Sequence, residues 1–214
     1  MTKTRKLQMT KNRKLQILSM IFIAATLASN IMAGKVVGIA GFQVPAGVVV
    51  FPMAFVVTDI VNEIWGPEET RRLVYDGFWA SAFFSLAIAL AIWIRPADSW
   101  NLQAEFAAVL GSVPRIAIGG LVAFLVSQNT DIWIFHALKK IHGEKHLWIR
   151  NTLSTFVSQF LDSLIFIFIA FYGSMPVGTI FLMAFSQWLV KAVFALLDTP
   201  FVYAGVRWIR KGEK

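Results

Sequence analysis

The 214 residues are 57% hydrophobic and only 15% charged, with a mean hydropathy of +0.65, whereas soluble domains average about 45–50% apolar and about 25% charged. That combination excludes an ordinary soluble enzyme, and nineteen Phe with so few charges exclude a disordered chain. A net charge of +8 could suggest a nucleic-acid partner, but the basic stretches fall between apolar runs, so the bilayer is the expected partner and no nucleic acid is. Zero Cys removes disulfides, thiolate metal sites and cysteine nucleophiles together.

Six apolar runs follow in chain order: Leu15–Gly34, Ala46–Trp65, Tyr75–Ile94, Ile116–Leu138, Asn151–Tyr172 and Val177–Val206. A hydrocarbon core of about 30 Å needs about 20 residues per helix, so the fold class is all-α, a polytopic membrane protein of six transmembrane helices. The last run is too long for a perpendicular crossing; it tilts, bends near Pro200 or ends early. The first run exceeds a signal-peptide core of about 7–15 residues and no A-x-A site follows it, so it reads as an uncleaved helix. Between the first two runs, Gly34 to Val44 is Gly-rich and fits a small outer hairpin or a re-entrant stretch. The loop Asn101–Gly111 spaces Leu102, Phe106, Val109 and Leu110 as one face of a short amphipathic outer helix.

Charge sets the expected orientation. With six spans, sixteen Lys and Arg fall on one side and only Lys35, Arg95 and Arg115 on the other. Cytoplasmic loops carry the basic excess, so both termini are expected in the cytoplasm. A five- or seven-span count would destroy the asymmetry. The domain plan is a basic cytoplasmic N-terminal tail over 1–14, one six-helix transmembrane domain over 15–208 and a cytoplasmic tail over 209–214.

Soluble-phase motifs are missing. No G-x-x-x-x-G-K-[ST] occurs, so this chain hydrolyses no nucleotide itself, and H-E-x-x-H and G-x-S-x-G are absent too. His142 and His146 have a spacing that can hold zinc, but in a basic loop a solvated face is the better account. No metal, cofactor or catalytic residue is expected.

The informative residues are polar groups inside the spans. A charge at the bilayer centre costs about 2.5–3.5 kcal/mol on insertion scales, so such groups usually face the bundle interior. Asp59, Asn62 and Glu63 share one face of the second run, where Glu63, close to Trp65, also suits a solvated interface. The pattern S-Q-x-x-D occurs as Ser127-Gln128 with Asp131 and as Ser158-Gln159 with Asp162, and Ser186-Gln187 recurs in the sixth run, followed by Lys191 and Asp198. Interhelical hydrogen bonding explains a Ser or a Gln well. It explains Asp162, mid-span and without a nearby base in sequence, poorly. Lys191 is its natural ion partner. Carboxylates and amides at several heights suit a planar polar solute, on which an aromatic ring can stack. Trp79 and Trp188, away from interfacial depth, are the stacking candidates, with lipid-facing or packing roles as the alternative.

Ala28-Ser29-Asn30, Lys35, the P-x-x-F-V-x-T-D-I-V-N-E-x-W-G string from Pro52 to Gly66, the S-Q-N-x-D-I-W-I-F of Ser127 to Phe135, Arg150-Asn151 with Ser154, and Gln159 to Ser163 together resemble the queuosine-precursor transporters, also called the vitamin-uptake transporter family. The resemblance covers nearly the whole chain past its basic N-terminus. It implies six spans in the cell inner membrane and import of a small-molecule substrate, a 7-deazaguanine base such as preQ0, preQ1 or queuine, for the modified tRNA base queuosine. A secondary transporter or facilitator is the expected mechanism. For that ligand, Asp162 or Asp131 would take the N1–H and 2-amino edge, and Gln128 and Gln159 would meet O6 or N3. Asn30, Asp59, Asn62, Gln187, Lys191 and Trp188 complete the candidate set. Two other readings stand beside it: a substrate-binding subunit of an ATPase-driven vitamin importer, and an intramembrane enzyme, which lacks the usual Gly-rich context around its second aspartate. The small pair Gly119-Gly120 permits close helix packing, and with it a homo-oligomer.

Overall fold

The computed structural model describes residues 3–142, 147–197 and 199–210. His146, Glu144 and Asp198 lie outside them, and with them the zinc reading and the far end of the Gln187–Lys191 stripe. The chain is helical apart from one hairpin. Helix α1 covers Lys3–Met32, so the basic N-terminal stretch continues directly into the first apolar run. Strands β1 (Val36–Ile39) and β2 (Phe42–Pro45) pair antiparallel, Val36 with Pro45 and Ile39 with Phe42. Ala40 and Gly41 both take positive φ, +49° and +87°, as a two-residue turn that matches strand twist requires. Gly34 to Val44 is therefore a hairpin.

A short 3-10 turn over Ala46–Val49 leads into α2, Phe51–Trp65. Pro52 sits in the first turn of α2, where its missing N–H costs nothing. Gly66, at φ +87°, ends α2, and Pro67 opens α3, Pro67–Trp93, with Glu68 and Glu69 against its N-terminal dipole. Then come α4 (Gln103–Leu110), α5 (Val113–His142), α6 (Leu147–Phe171), α7 (Val177–Leu197) and α8 (Thr199–Arg210). The expected amphipathic loop helix is α4. The long sixth run divides into α7 and α8, with Pro200 in the first turn of the second helix.

Among the described residues, five stretches are long and apolar enough to cross a bilayer: Lys11–Met32, Pro67–Trp93, Gln103–Leu138, Leu153–Phe171 and Val177–Phe194. Helix α2 is not one of them. Its 15 residues rise only about 22 Å, and the rest of the second apolar run is spent on the 3-10 turn. The outer faces are apolar: Trp93 is 81% exposed, Phe83 74% and Leu86 69%. The described polar residues that are fully packed away are seven serines and Gln187, small groups that let helices approach closely. This is a multi-pass helical membrane protein.

Two apolar cores lie at opposite ends. At the end carrying the basic loops, Leu18 and Phe22 of α1 pack with Val57, Ile60 and Val61 of α2, Leu73 of α3, and Val206 and Ile209 of α8. At the hairpin end, Ala33, just after α1, packs with Ile116 of α5, Ile167 and Phe171 of α6, and Ile180 and Met183 of α7. A polar cavity occupies the space between them.

Candidate functional site

The cavity has a volume of about 140 Å³ and opens at one side, smaller than the about 300–1,000 Å³ of drug-sized ligand sites. Seven elements build its wall. Ser29 and Asn30 come from α1, Pro45 from β2, Gly47 and Val48 from the 3-10 turn, and Phe51 and Phe55 from α2. Phe124 and Gln128 come from α5, Gln159, Asp162 and Phe166 from α6, and Gln187 and Lys191 from α7. Phe55, Phe124 and Gln128 are exposed along the rim.

The repeated Ser-Gln pair has a geometric reason. Neighbours on a helix point about 100° apart, so one residue can pack while the next faces inward. Ser127, Ser158 and Ser186 are buried and donate to their own helices, at Phe124 O (3.1 Å), Thr155 O (3.0 Å) and Leu182 O (2.7 Å). Gln128, Gln159 and Gln187 line the cavity beside them. Gln187 is only 3% exposed, and none of the three glutamine amides has a partner among the described residues. Gln159 is half-buried and Gln128 exposed, and each of the three amides can both donate and accept toward the cavity.

The ion pair lies in the same wall. Lys191 Nζ donates to Asp162 Oδ2 at 2.5 Å, with the two side chains 12% and 16% exposed. The ammonium also sits 5.4 Å from the centre of the Phe51 ring, a cation–π distance. Asp162 Oδ1 accepts nothing from the described residues. Asn30 Nδ2 reaches Ser81 Oγ on α3 at 3.4 Å. Non-helical backbone at this depth survives only where protein buries it or a cavity borders it, and the 3-10 turn does both. Ser29 Oγ donates to Gly47 O at 3.1 Å. A Cβ on Gly47 would stand 2.5 Å from the Ser29 carbonyl oxygen, so glycine is required for this approach.

Of the ten residues singled out from sequence, Asn30, Gln128, Gln159, Asp162, Gln187 and Lys191 come together in this wall. Four do not reach it. Asp59 and Asn62 are exposed and continue the Phe51–Phe55 stripe one and two turns toward the basic end. They share one helix face, as their spacing requires, but stand outside the lining. Asp131 lies one turn beyond Gln128 and accepts from Ser158 Oγ at 3.3 Å, an α5–α6 tie. Trp188 is held by Phe156, Phe160 and Phe185, at centroid distances of 4.4, 5.8 and 5.5 Å, and so packs on the outer side of α6 and α7. Trp79 is 67% exposed. The aromatic wall is Phe, not Trp. Two of its members were legible: Phe124 is four residues before Gln128, and Phe166 four after Asp162, each one turn along a polar stripe already identified.

A multi-pass helical protein with a mid-depth cavity of amides, one ion pair and aromatic rings has the build of a small-molecule membrane carrier. Residues 45–205 match the family described as "Putative vitamin uptake transporter". A Bacillus subtilis protein named "Probable queuosine precursor transporter" is 32% identical over 89% of this chain and 83% of its own length. The Escherichia coli "Queuosine precursor transporter" is 27% identical over 73% of this chain and 68% of its own, and a Haemophilus influenzae "Probable queuosine precursor transporter" is 27% identical over 60% and 52%. No solved structure matches significantly. The chain belongs to the vitamin uptake transporter family, a family of transporters and not of enzymes.

Proposed function

We propose that this protein imports queuosine precursors, 7-deazaguanine bases such as preQ0, preQ1 or queuine, across the cell inner membrane, as a secondary transporter or facilitator. The reading has the chain crossing six times, with the 3-10 turn and α2 together as the second crossing and both termini in the cytoplasm. Residues 15–208 then form the transmembrane domain, flanked by the two basic tails.

The observation that carries it is the composition of the cavity wall: one carboxylate, four amides and four Phe rings facing one space. A 7-deazaguanine presents N1–H and a 2-amino group along one edge, which Asp162 Oδ1 accepts. O6 and N3 take a donor from Gln128, Gln159 or Gln187, and Asn30 closes the opposite side. Phe51, Phe55, Phe124 and Phe166 cover the ring faces. Asp59, Asn62 and Asp131 lie toward the basic end, outside the grip itself, on the side where an imported base leaves. The names of the relatives point to the same solute.

The test is uptake of a labelled 7-deazaguanine by cells that lack their own importer and express this chain. Accumulation above the empty-vector control is expected. The variant Asp162→Asn keeps shape and one acceptor but loses the charge; because bonds to charged groups contribute about 1.5–3 kcal/mol, affinity measured on the folded fraction should fall about tenfold or more. No accumulation by the wild type would overturn the proposed substrate.

A further inference from the structure

We propose that Lys191 makes this site selective for uncharged bases: by neutralising Asp162 it turns a carboxylate into a hydrogen-bond acceptor without net charge, so the cavity takes a neutral heterocycle in preference to one bearing an ammonium arm. The inference rests on the function proposed above and narrows it: of the bases named there it favours preQ0, which is neutral, over preQ1 and queuine, whose side chains carry a protonated amine.

Asp162 and Lys191 are the ionisable residues among the described ones lining the cavity, and their charges cancel at 2.5 Å. Everything else in the wall is amide, hydroxyl, backbone or hydrocarbon. A carboxylate has about four lone-pair sites. Lys191 occupies Oδ2, and Oδ1 is left for a donor. An N–H or an exocyclic amine that donates to Oδ1 gains a charge-assisted bond while the site stays neutral. A positively charged substituent meets a different situation. It must leave water for a cavity whose one negative charge is already matched, beside an ammonium that repels it. Phe51 cannot offset this, because Lys191 already lies over its ring. Asp59 is exposed, and Asp131, bonded to Ser158, stands a turn beyond the lining. Both lie outside the lining, toward the basic end.

Two 7-deazaguanines that differ at one substituent make the test: the 7-cyano base, which is neutral, and the 7-aminomethyl base, whose primary amine is protonated at pH 7. Equilibrium competition binding on purified protein and uptake in cells are both measured. Wild type should bind the neutral base about tenfold or more tighter than the cation. Lys191→Met frees the Asp162 charge and should invert that ratio. The double variant Lys191→Met with Asp162→Asn, again neutral, should restore the preference for the cyano base at lower affinity for both. Wild-type binding of the cation as tightly as the neutral base overturns the inference, whatever the variants' folding. An unchanged ratio in folded Lys191→Met does the same. Failure of both bases to bind or enter counts instead against the proposed function.

Discussion

Lys191 and Asp162 each carry a charge at mid-helix, and each answers the other across the α6–α7 contact. Removing one partner of such a pair leaves an uncompensated charge and costs about 3–5 kcal/mol, while removing both can be close to neutral; partial exposure places this pair at the low end. Lys191→Met and Asp162→Asn should therefore each lower the yield of folded protein and its melting temperature, and the double variant should recover much of both. Fluorescence size-exclusion and thermal unfolding in detergent read this directly. Strictly additive losses would mean the two residues do not depend on each other. Folding and recognition are separate demands on Asp162, so transport can stay lost where stability returns.

Among the elements, the hairpin end is held by a charge in an unexpected role. Arg115, which the charge count assigns to an outer loop, lies in the first turn of α5. It sends Nε to the Ile169 carbonyl and Nη2 to the Tyr172 carbonyl, both at 2.5 Å. It thereby caps the C-terminal end of α6, whose last carbonyls have no helical partner. Its counterpart at the basic end is Lys14 of α1, whose Nζ donates to the carbonyls of Trp208 and Ile209 at the end of α8, at 3.2 and 3.0 Å. Arg115→Met removes two charge-assisted bonds, each worth about 1.5–3 kcal/mol, and should lower the melting temperature by several degrees. Arg115→Lys keeps the charge without the planar fork and should recover only part of the loss. A wild-type melting temperature in Arg115→Met would mean that other groups satisfy the end of α6.

For the molecule as a whole, the hairpin-end core ties α1, α5, α6 and α7 together, while the core at the basic end joins α1, α2, α3 and α8. The proposed six-crossing arrangement has a direct consequence for accessibility in this cysteine-free chain. Gln43→Cys in the hairpin and Ser99→Cys after α3 should react with a membrane-impermeant thiol reagent added outside intact cells, and Glu68→Cys should react only after permeabilisation. If Gln43→Cys behaves like Glu68→Cys, the 3-10 turn and α2 enter and leave on one side, and the second crossing is lost.

Composition and periodicity alone determined the helical membrane class, the location though not the ends of the long helices, the loop helix α4 and six of the cavity residues. They could do so because a bilayer demands long apolar runs and makes each intramembrane polar group conspicuous. The tertiary structure decided the rest. That α2 is short, and that a 3-10 turn fills the remainder of its run, depends on Gly47 lying against Ser29, a contact eighteen residues apart that no local pattern encodes. That Trp188 packs outward, that Asp131 ties α5 to α6 and that Phe51 faces Lys191 follow from how far each helix is rotated about its axis. Rotation is set by which small residues let neighbouring helices touch. Spacing along one helix says which residues share a face; only the packing of the other helices says what that face sees.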